Sequence, residues 1–346
     1  MIPELGREYP QKNEEEIFAE MVEQTISEMK PIGGFIRRGQ HAKATGCVTA
    51  EFRVVDGVPD HLRHGVFAEP GRNFEALVRF SNSQGTLEHD GEGTGRGMAI
   101  KLLEVLGARA IQDDLDSSQD FLMVNHPVFP FPDPASYLEV IKRRNFPIIG
   151  GLLVAGHLIT HDLKAIKDIV EIKVKEITNP LETTYWSGSP YWLGRADGSL
   201  GQAVKYSAVP RPQPSQEANN NPKDLAANYL SEALAARLRD GEAVFDFKVQ
   251  SQADPVRMPV EDASVEWHEK EPAPGELAEP YAWSKPVTVA ALRIPSQRVK
   301  PLNELGSECE RLSFNPWHAL AAHRPMGGIN RLRRAVYEAS FKRRTT

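Results

Sequence analysis

The 346-residue sequence has little cysteine and no excess of positive charge. Its two cysteines, Cys47 and Cys309, form neither a CxxC pair nor a disulfide framework, so free thiols in a reducing cytoplasm are the simplest interpretation. The net charge of −6 argues against nucleic acid as the main partner, because no basic surplus is present to neutralise phosphates.

Long apolar runs are also missing. The most apolar window, "FPIIGGLLVAGHLI" at 146–159, is shorter than the roughly 20 residues that span a bilayer, so it predicts a buried core segment. The N-terminus lacks the basic start and apolar run of a signal peptide. With 40% hydrophobic and 25% charged residues, the composition is typical of a globular protein, and we expect it in the cytoplasm.

Period-two alternation of apolar and polar residues predicts eight β-strands. They lie at 48–57, 74–82, 96–104, 119–125, 183–188, 202–210, 242–252 and 286–295. Helical patterns cover 13–31, 134–145, 158–178 and 222–241. Eight such strands favour an α+β protein with a closed antiparallel barrel, helices outside it, and an interior that holds side chains or one small ligand. The polar stretch 212–224 is interpreted as an excursion within this domain.

Two motif classes are excluded by their context. The glycine-rich "GEGTGRG" at 91–97 precedes a strand and matches neither GxGxxG nor the P-loop, so it predicts a turn. The pairs His61–His64 and His318–His323 belong to no HExxH motif and no Cys/His framework. We therefore expect no zinc site at these pairs.

Two segments carry candidate polar groups. In "RRGQHAKATG", positive neighbours favour a neutral His41, which is a competent general base, although an ordinary loop histidine has the same pattern. In "ALVRFSNSQG", Arg79 and Ser81 face one way on a strand while Val78 and Phe80 face the other. The polar face either lines the barrel and binds a carboxylate or points to solvent, and alternation alone does not decide.

The C-terminal "RLRRAVY" places Arg333 and Tyr337 four residues apart, on one face of a helix. A guanidinium stabilises a phenolate, and a tyrosine phenolate is the proximal iron ligand of catalase haem. A solvated basic helix end is the simpler alternative, since arginine favours a helix C-terminus. Arg331 and Arg334 point elsewhere and are predicted to be surface charges.

Taken in order, "HAK", "VRFS", "RGMAIKL", "NHPVF" with a following "DP", "SFNPW" and a late "RxxxY" resemble the haem catalase superfamily. The stretches "YWSGSPYWLG" and "FDFKVQSQADPVRMPVEDASVEW" are similar to its small catalase-related branch. The resemblance spans roughly residues 35–345. It implies one haem domain, divided into a helical arm (1–34), a barrel with inserted helices (35–300) and a proximal helix region (301–346), with haem between barrel and C-terminal helix.

The resemblance implies a role for each matching residue. His41 corresponds to the distal histidine that moves the proton of peroxide, and Ser81 to the residue that orients this histidine. Tyr337 corresponds to the phenolate on iron, and Arg333 to its charge partner.

Further matches concern the porphyrin and the substrate. Arg38, Arg79 and Arg344 correspond to arginines that bind haem propionates. Tyr137 falls where the family has a phenylalanine stacked on the porphyrin. The family's catalytic amide is assigned to Asn125, because it is the only amide available and a turn can bulge, although an ungapped match places Val124 there.

The implied function is that of a haem b-dependent oxidoreductase of the peroxidase or catalase type. It would cleave hydrogen peroxide or organic hydroperoxides through an oxoferryl intermediate and use a small organic electron donor. Its termini are short for the superfamily, which favours an accessible haem and organic donors. Fatty-acid hydroperoxide rearrangement, as in the allene oxide synthase branch, and a non-catalytic haem-binding barrel remain open, as does a homo-oligomer.

Overall fold

The computed structural model describes residues 3–32, 34–92, 95–111, 117–144, 150–212, 225–269, 283–299 and 308–346. The predictions for the polar stretch after 212, for residues 93 and 94 of the glycine-rich turn and for 146–149 of the apolar window lie outside the described residues.

The described residues form eleven β-strands, and each of the eight predicted strands coincides with one of them. The strands are β1 (Pro31–Ile32), β2 (Phe35–Ile36), β3 (Ala44–Val54), β4 (Asn73–Asn82), β5 (Arg96–Leu102), β6 (Gln119–Val124), β7 (Tyr185–Trp186), β8 (Tyr191–Gly194), β9 (Gly201–Pro210), β10 (Ala243–Ser251) and β11 (Val287–Ile294). The short strands β1, β2 and β8 have no counterpart in the prediction.

Eight strands close into an antiparallel barrel, in the order β3-β4-β5-β6-β7-β9-β10-β11. The ring is completed by pairing between β11 and β3, where Ala290 lies opposite Val54. Strand β8 is an additional strand at the edge of β9, and β1 and β2 form a separate hairpin. The predicted α+β barrel fold is therefore confirmed.

The barrel interior is a packed apolar core, and its side chains follow the alternation of the strands. On β4, Val78 and Phe80 are completely buried in this core. Because neighbouring side chains on a strand point to opposite faces, Arg79 and Ser81 lie on the outer wall of the barrel. These two residues are buried as well, so neither of the two predicted alternatives, the barrel interior or solvent, describes them.

Seven α-helices are present among the described residues. They are α1 (Glu14–Glu28), α2 (Pro134–Arg144), α3 (Gly150–His161), α4 (Leu163–Val174), α5 (Tyr229–Asp240), α6 (Glu308–Arg311) and α7 (Gly328–Thr345). The helix predicted at 158–178 is two helices, because Asp162 interrupts it and its carboxylate caps α4 by accepting from the Ala165 N–H at 2.9 Å. Helices α1, α2 and α7 share one apolar cluster. Within the described part of the chain, no helix combines the length and apolarity needed to cross a bilayer.

The two cysteines are joined in a disulfide, and the predicted free thiols are wrong. Cys47 lies on the outer face of β3, opposite Arg79 of β4, and α6 packs there with Cys309. Their Cα atoms are 6.0 Å apart, within the range that a disulfide bridges. Because disulfides are rare in the cytosol, the basis for predicting a cytoplasmic location no longer holds.

Arg331 is not a surface charge, which corrects a second prediction. Its guanidinium, at the start of α7, donates to the carboxylates of Glu8 at 2.6 Å, Glu14 at 2.6 Å and Glu261 at 2.8 Å. Only 16% of its side chain is exposed. Arg334 is exposed as predicted and pairs with Glu338. Arg331 therefore ties α7 to the N-terminal segment and to the loop that contains Glu261.

Candidate functional site

A cavity lies between the outer wall of β4–β6 and helix α7. It contains about 740 Å³ of atom-free space, part of which opens to solvent. Seven of the nine predicted site residues line it: Arg38, His41, Arg79, Ser81, Arg333, Tyr337 and Arg344. The closed barrel supplies one wall and the C-terminal helix the other, so residues almost 300 positions apart in the chain face a common space.

His41 is held in a strained backbone conformation at the cavity wall. Its φ of 56° is unusual for a residue other than glycine. Backbone bonds fix this geometry, because the His41 N–H donates to the Ser83 carbonyl at 3.1 Å and Arg79 Nη2 donates to the His41 carbonyl at 2.9 Å. The imidazole Nδ1 lies 3.0 Å from Ser81 Oγ, as expected for a residue that orients the ring.

Gly97 of β5 provides the space that the His41 ring occupies. A Cβ atom at this position would lie 2.6 Å from His41 Nδ1 and 2.9 Å from Ser81 Oγ, closer than such atoms approach. Any larger residue would therefore displace the imidazole. Gly97 belongs to the "RGMAIKL" motif, which assigns it no role by itself. Its contact with His41 is visible only in three dimensions.

The pKa of His41 is lowered to about 3, first by burial and then by the charges of Arg79, Arg333 and Arg38. The imidazole is therefore neutral at pH 7, as the positive neighbours in the sequence indicated. In the tautomer in which Nδ1 donates to Ser81 Oγ, Nε2 of the neutral ring has a free lone pair and can accept a proton.

Tyr337 and Arg333 lie on one face of α7, at the opposite wall from the barrel. The Arg333 guanidinium carbon is 5.4 Å from the centre of the Tyr337 ring. Burial lowers the pKa of Arg333, but the neighbouring Tyr337 and Tyr191 outweigh it, so the pKa is raised. The charged guanidinium thus lies next to the Tyr337 ring, within the distance of a cation–π contact.

Arg38 and Arg79 converge on one carboxylate that the sequence did not indicate, and Arg344 contacts the backbone of the same residue. Glu310 of α6 accepts from Arg38 Nη1 at 2.6 Å and from Arg79 Nε at 2.7 Å. Arg344 Nη1 donates to the Glu310 carbonyl at 2.7 Å. Burial raises the pKa of the Glu310 carboxyl, but the charges of Arg79, Arg38 and Arg344 outweigh it and lower the pKa. Arg38 and Arg79 therefore already bind a carboxylate, and Arg344 lies beside them.

Asn125 is not where the sequence-based assignment placed it. Val124 lines the cavity, whereas Asn125 is buried on the other face, where its Oδ1 accepts from the Arg96 N–H at 2.6 Å. The bulge that would have turned Asn125 inward does not form, because β6 pairs with β5 in unbroken register as far as Val124 and Gly97. The assignment of Asn125 as the amide of the cavity is corrected accordingly.

Tyr137 does not line the cavity either. It packs in an aromatic group with Phe129, at 5.1 Å between ring centres, and Phe131, at 5.3 Å. Burial raises the pKa of its hydroxyl. Tyr137 of α2 therefore packs among aromatic side chains and is not one of the residues that line the cavity.

Comparison with known proteins agrees with this architecture. No family model matches the chain. A catalase-related peroxidase from Mycolicibacterium paratuberculosis (strain ATCC BAA-968 / K-10) is 28% identical over 320 residues, which cover 89% of each chain.

Three solved catalases are similar in structure. A fungal catalase has a TM-score of 0.67 at 17% identity and covers 90% of this chain, which spans 59% of the fungal protein. A bacterial catalase has a TM-score of 0.66 at 16% identity and covers 90% of this chain, which spans 58% of the bacterial protein. Catalase A from Saccharomyces cerevisiae has a TM-score of 0.66 at 17% identity and covers 99% of this chain, which spans 68% of the yeast protein. The chain thus has the catalase fold, and its sequence is similar to that of a catalase-related peroxidase.

Proposed function

We propose that this protein is a haem-dependent oxidoreductase of the catalase-related peroxidase type, which cleaves hydrogen peroxide or an organic hydroperoxide. The carrying observation is the convergence of seven residues, predicted from separate motifs, on a single cavity. The similarity to a catalase-related peroxidase supports the same class of reaction.

The residues of the cavity fit haem b. Tyr337 offers its phenol oxygen as an iron ligand next to the Arg333 guanidinium, and Arg38 and Arg79 already bind a carboxylate, which is the chemical group of a haem propionate. Tyr337 would hold the iron, and Arg38, Arg79 and Arg344 would hold the propionates. When bound, haem supplies the iron at which the O–O bond of peroxide is broken.

The protein's own side chains would move the proton of peroxide and hold the His41 ring in place. His41 is neutral at pH 7, so it would accept a proton from one oxygen of peroxide and return it to the other. Ser81 orients the ring through Nδ1, and Gly97 leaves room for it. Arg333 limits the electron donation from Tyr337 by stabilising the phenolate charge.

Val124 favours an organic reductant over a second molecule of hydrogen peroxide. Its apolar side chain stands in the cavity wall where an amide would donate a hydrogen bond to peroxide. Without that donor, dismutation loses a positioning contact, whereas oxidation of an organic donor does not depend on it in the same way. We therefore propose peroxidase activity as the main activity.

The proposal is tested by the visible spectrum and peroxide kinetics of the purified protein supplied with haem b. We expect a Soret band in the wild type and in Tyr9→Phe, a control outside the cavity, and its loss in Tyr337→Phe. His41→Ala keeps the band but reacts with peroxide about 10²–10⁴-fold more slowly, the usual contribution of a general base.

Three outcomes would contradict the proposal. A wild type without a Soret band would exclude haem, and His41→Ala reacting at the wild-type rate would exclude His41 as the base. Conversion of a lipid hydroperoxide without consumption of any electron donor would indicate rearrangement instead of peroxidation.

A further inference from the structure

Three potential metal ligands meet outside the cavity, between the end of β6 and helix α4. They are His126, which follows β6, and Asp168 and Glu171, which lie three residues apart on one face of α4. One ligand atom from each residue lies within 4.8 Å of the other two. None of these residues lines the cavity, so the group is independent of the proposed peroxidase site.

The imidazole of His126 is oriented for binding through Nε2. Its Nδ1 lies 3.2 Å from the Val128 carbonyl, which can only accept, so Nδ1 carries a proton. This leaves Nε2 facing Glu171, with Glu171 Oε2 at 3.7 Å. Donation of the second ring N–H to a backbone carbonyl is the arrangement found in metal-ligating histidines.

Asp168 has a buried carboxylate oxygen without a hydrogen bond. The residue is 6% exposed, and its Oδ2 accepts no hydrogen bond from any described residue. The Lys164 ammonium is 3.8 Å away, beyond hydrogen-bond distance. Burial raises the pKa of the Asp168 carboxyl, which agrees with the lack of a hydrogen-bond donor at its Oδ2. A buried acceptor without a hydrogen bond destabilises the fold unless a cation binds to it or a donor reaches it.

The third ligand gives the group an open side. The Glu171 side chain is 52% exposed and its Oε1 is 3.7 Å from the Lys167 ammonium. Both neighbouring lysines are at least half exposed, and ion pairs of this kind contribute little to stability. The lysines can therefore move away, and Glu171 can close over an ion.

We propose that His126, Asp168 and Glu171 form a binding site for a divalent first-row transition metal such as Zn²⁺. One imidazole with two carboxylates suits these ions, whereas Mg²⁺ and Ca²⁺ favour oxygen ligands alone. In tetrahedral coordination with bonds of about 2.0–2.2 Å, the ligand atoms would draw together to about 3.4 Å, and water would occupy the fourth position. The ion would fasten α4 to the end of β6.

The test is a calorimetric titration of the full-length chain with Zn²⁺, in a buffer that does not chelate metals. We expect one saturable equivalent in the wild type. His126→Gln and Asp168→Asn each weaken it about tenfold or more, while His61→Gln, which removes an exposed loop imidazole, leaves it unchanged. Zinc-edge X-ray absorption shows nitrogen and oxygen ligands without sulfur.

Two results would overturn the site. The first is no saturable binding, which would show that the three residues hold no ion. The second is binding that persists in both ligand variants, or that shows sulfur ligands, either of which would place the ion elsewhere. Because haem is not needed for the titration, failure of the peroxidase proposal would not change the outcome.

Discussion

Within the cavity, Val124 is the residue with the largest expected effect on the choice between reactions. It lies opposite Gly97 in the pairing of β6 with β5, and Gly97 in turn supports the ring of His41. A side chain at 124 is therefore adjacent to the proposed base. An amide there would place a hydrogen-bond donor beside the group that moves the proton.

We predict that Val124→Asn shifts activity from donor oxidation toward hydrogen peroxide dismutation. The expected increase in the ratio of the two rates is about tenfold, equivalent to one hydrogen bond of about 1.4 kcal/mol. Oxygen evolution and oxidation of a phenolic donor, measured on the same preparation, give the ratio. Val124→Leu, of similar size but apolar, serves as the control, and an equal change in both variants would show that size matters and not the amide.

The residue scale also shows the limit of sequence reasoning. His41, Ser81, Arg333 and Tyr337 were placed correctly in the cavity because each falls in a short motif with a defined spacing. Asn125 was misplaced because a one-residue shift along a strand reverses the face, and the sequence does not report whether a bulge absorbs it.

At the scale of secondary structure, α7 depends on Arg331 for its attachment. The guanidinium is buried among three carboxylates from Glu8, Glu14 and Glu261. Burial lowers the pKa of Arg331, but hydrogen bonds to Glu14 and Glu261 outweigh this and raise it. Because Tyr337 and Arg333 are on the same helix, this cluster also fixes one wall of the cavity.

We predict that Arg331→Ala lowers the free energy of unfolding by about 3–5 kcal/mol, because it leaves the largely buried carboxylates of Glu14 and Glu261 without a cation. Arg334→Ala, three residues along the same helix, removes an exposed ion pair and should cost less than about 1 kcal/mol. Urea denaturation measures both. Similar losses in the two variants would contradict the importance of the buried cluster.

The strands of the barrel were largely predictable from the sequence, whereas the side-chain partners that join distant elements were not. Alternation located all eight barrel strands, since each places apolar side chains in the core at every second position. The short strand β8, which pairs with β9 outside the closed ring, was not predicted. The burial of Arg331 left no trace in the sequence, because its carboxylate partners are up to 323 positions away.

For the whole molecule, two buried histidines link folding to pH. His323 lies in the core, where its Nε2 accepts from the Val66 N–H at 2.9 Å, so Nδ1 donates to the Tyr206 hydroxyl at 2.9 Å. Burial, with a smaller contribution from His64, lowers the pKa of His323 to about 3, and the pKa of His41 is also about 3. Both are far below the value near 6.5 of an unfolded histidine.

Between about pH 6.5 and 3 the unfolded chain therefore binds more protons than the native one, and stability falls as the pH is lowered through this range. Each histidine contributes up to about 1.4 kcal/mol per pH unit. We predict that the slope of unfolding free energy against pH, measured in urea, is smaller by about this amount in His323→Gln. Should that variant fail to fold, NMR of the wild type replaces it, and protonation of His323 above pH 5 would contradict the prediction.

The disulfide is the feature of the whole molecule that sequence reasoning missed. Cys47 and Cys309 are 262 positions apart, and nothing in their local sequence indicates that β3 and α6 meet. Only the closed barrel, with α6 packed on its outer face, brings the thiols together.

This bond makes a covalent ring of most of the polypeptide. If a protease cuts the backbone once anywhere between the two cysteines, the two pieces remain one molecule until a reductant is added. On a denaturing gel the nicked protein would thus run as a single species without reductant and as two fragments with it. Damage to an internal loop would release neither the helix that carries Tyr337 nor the strand beside His41.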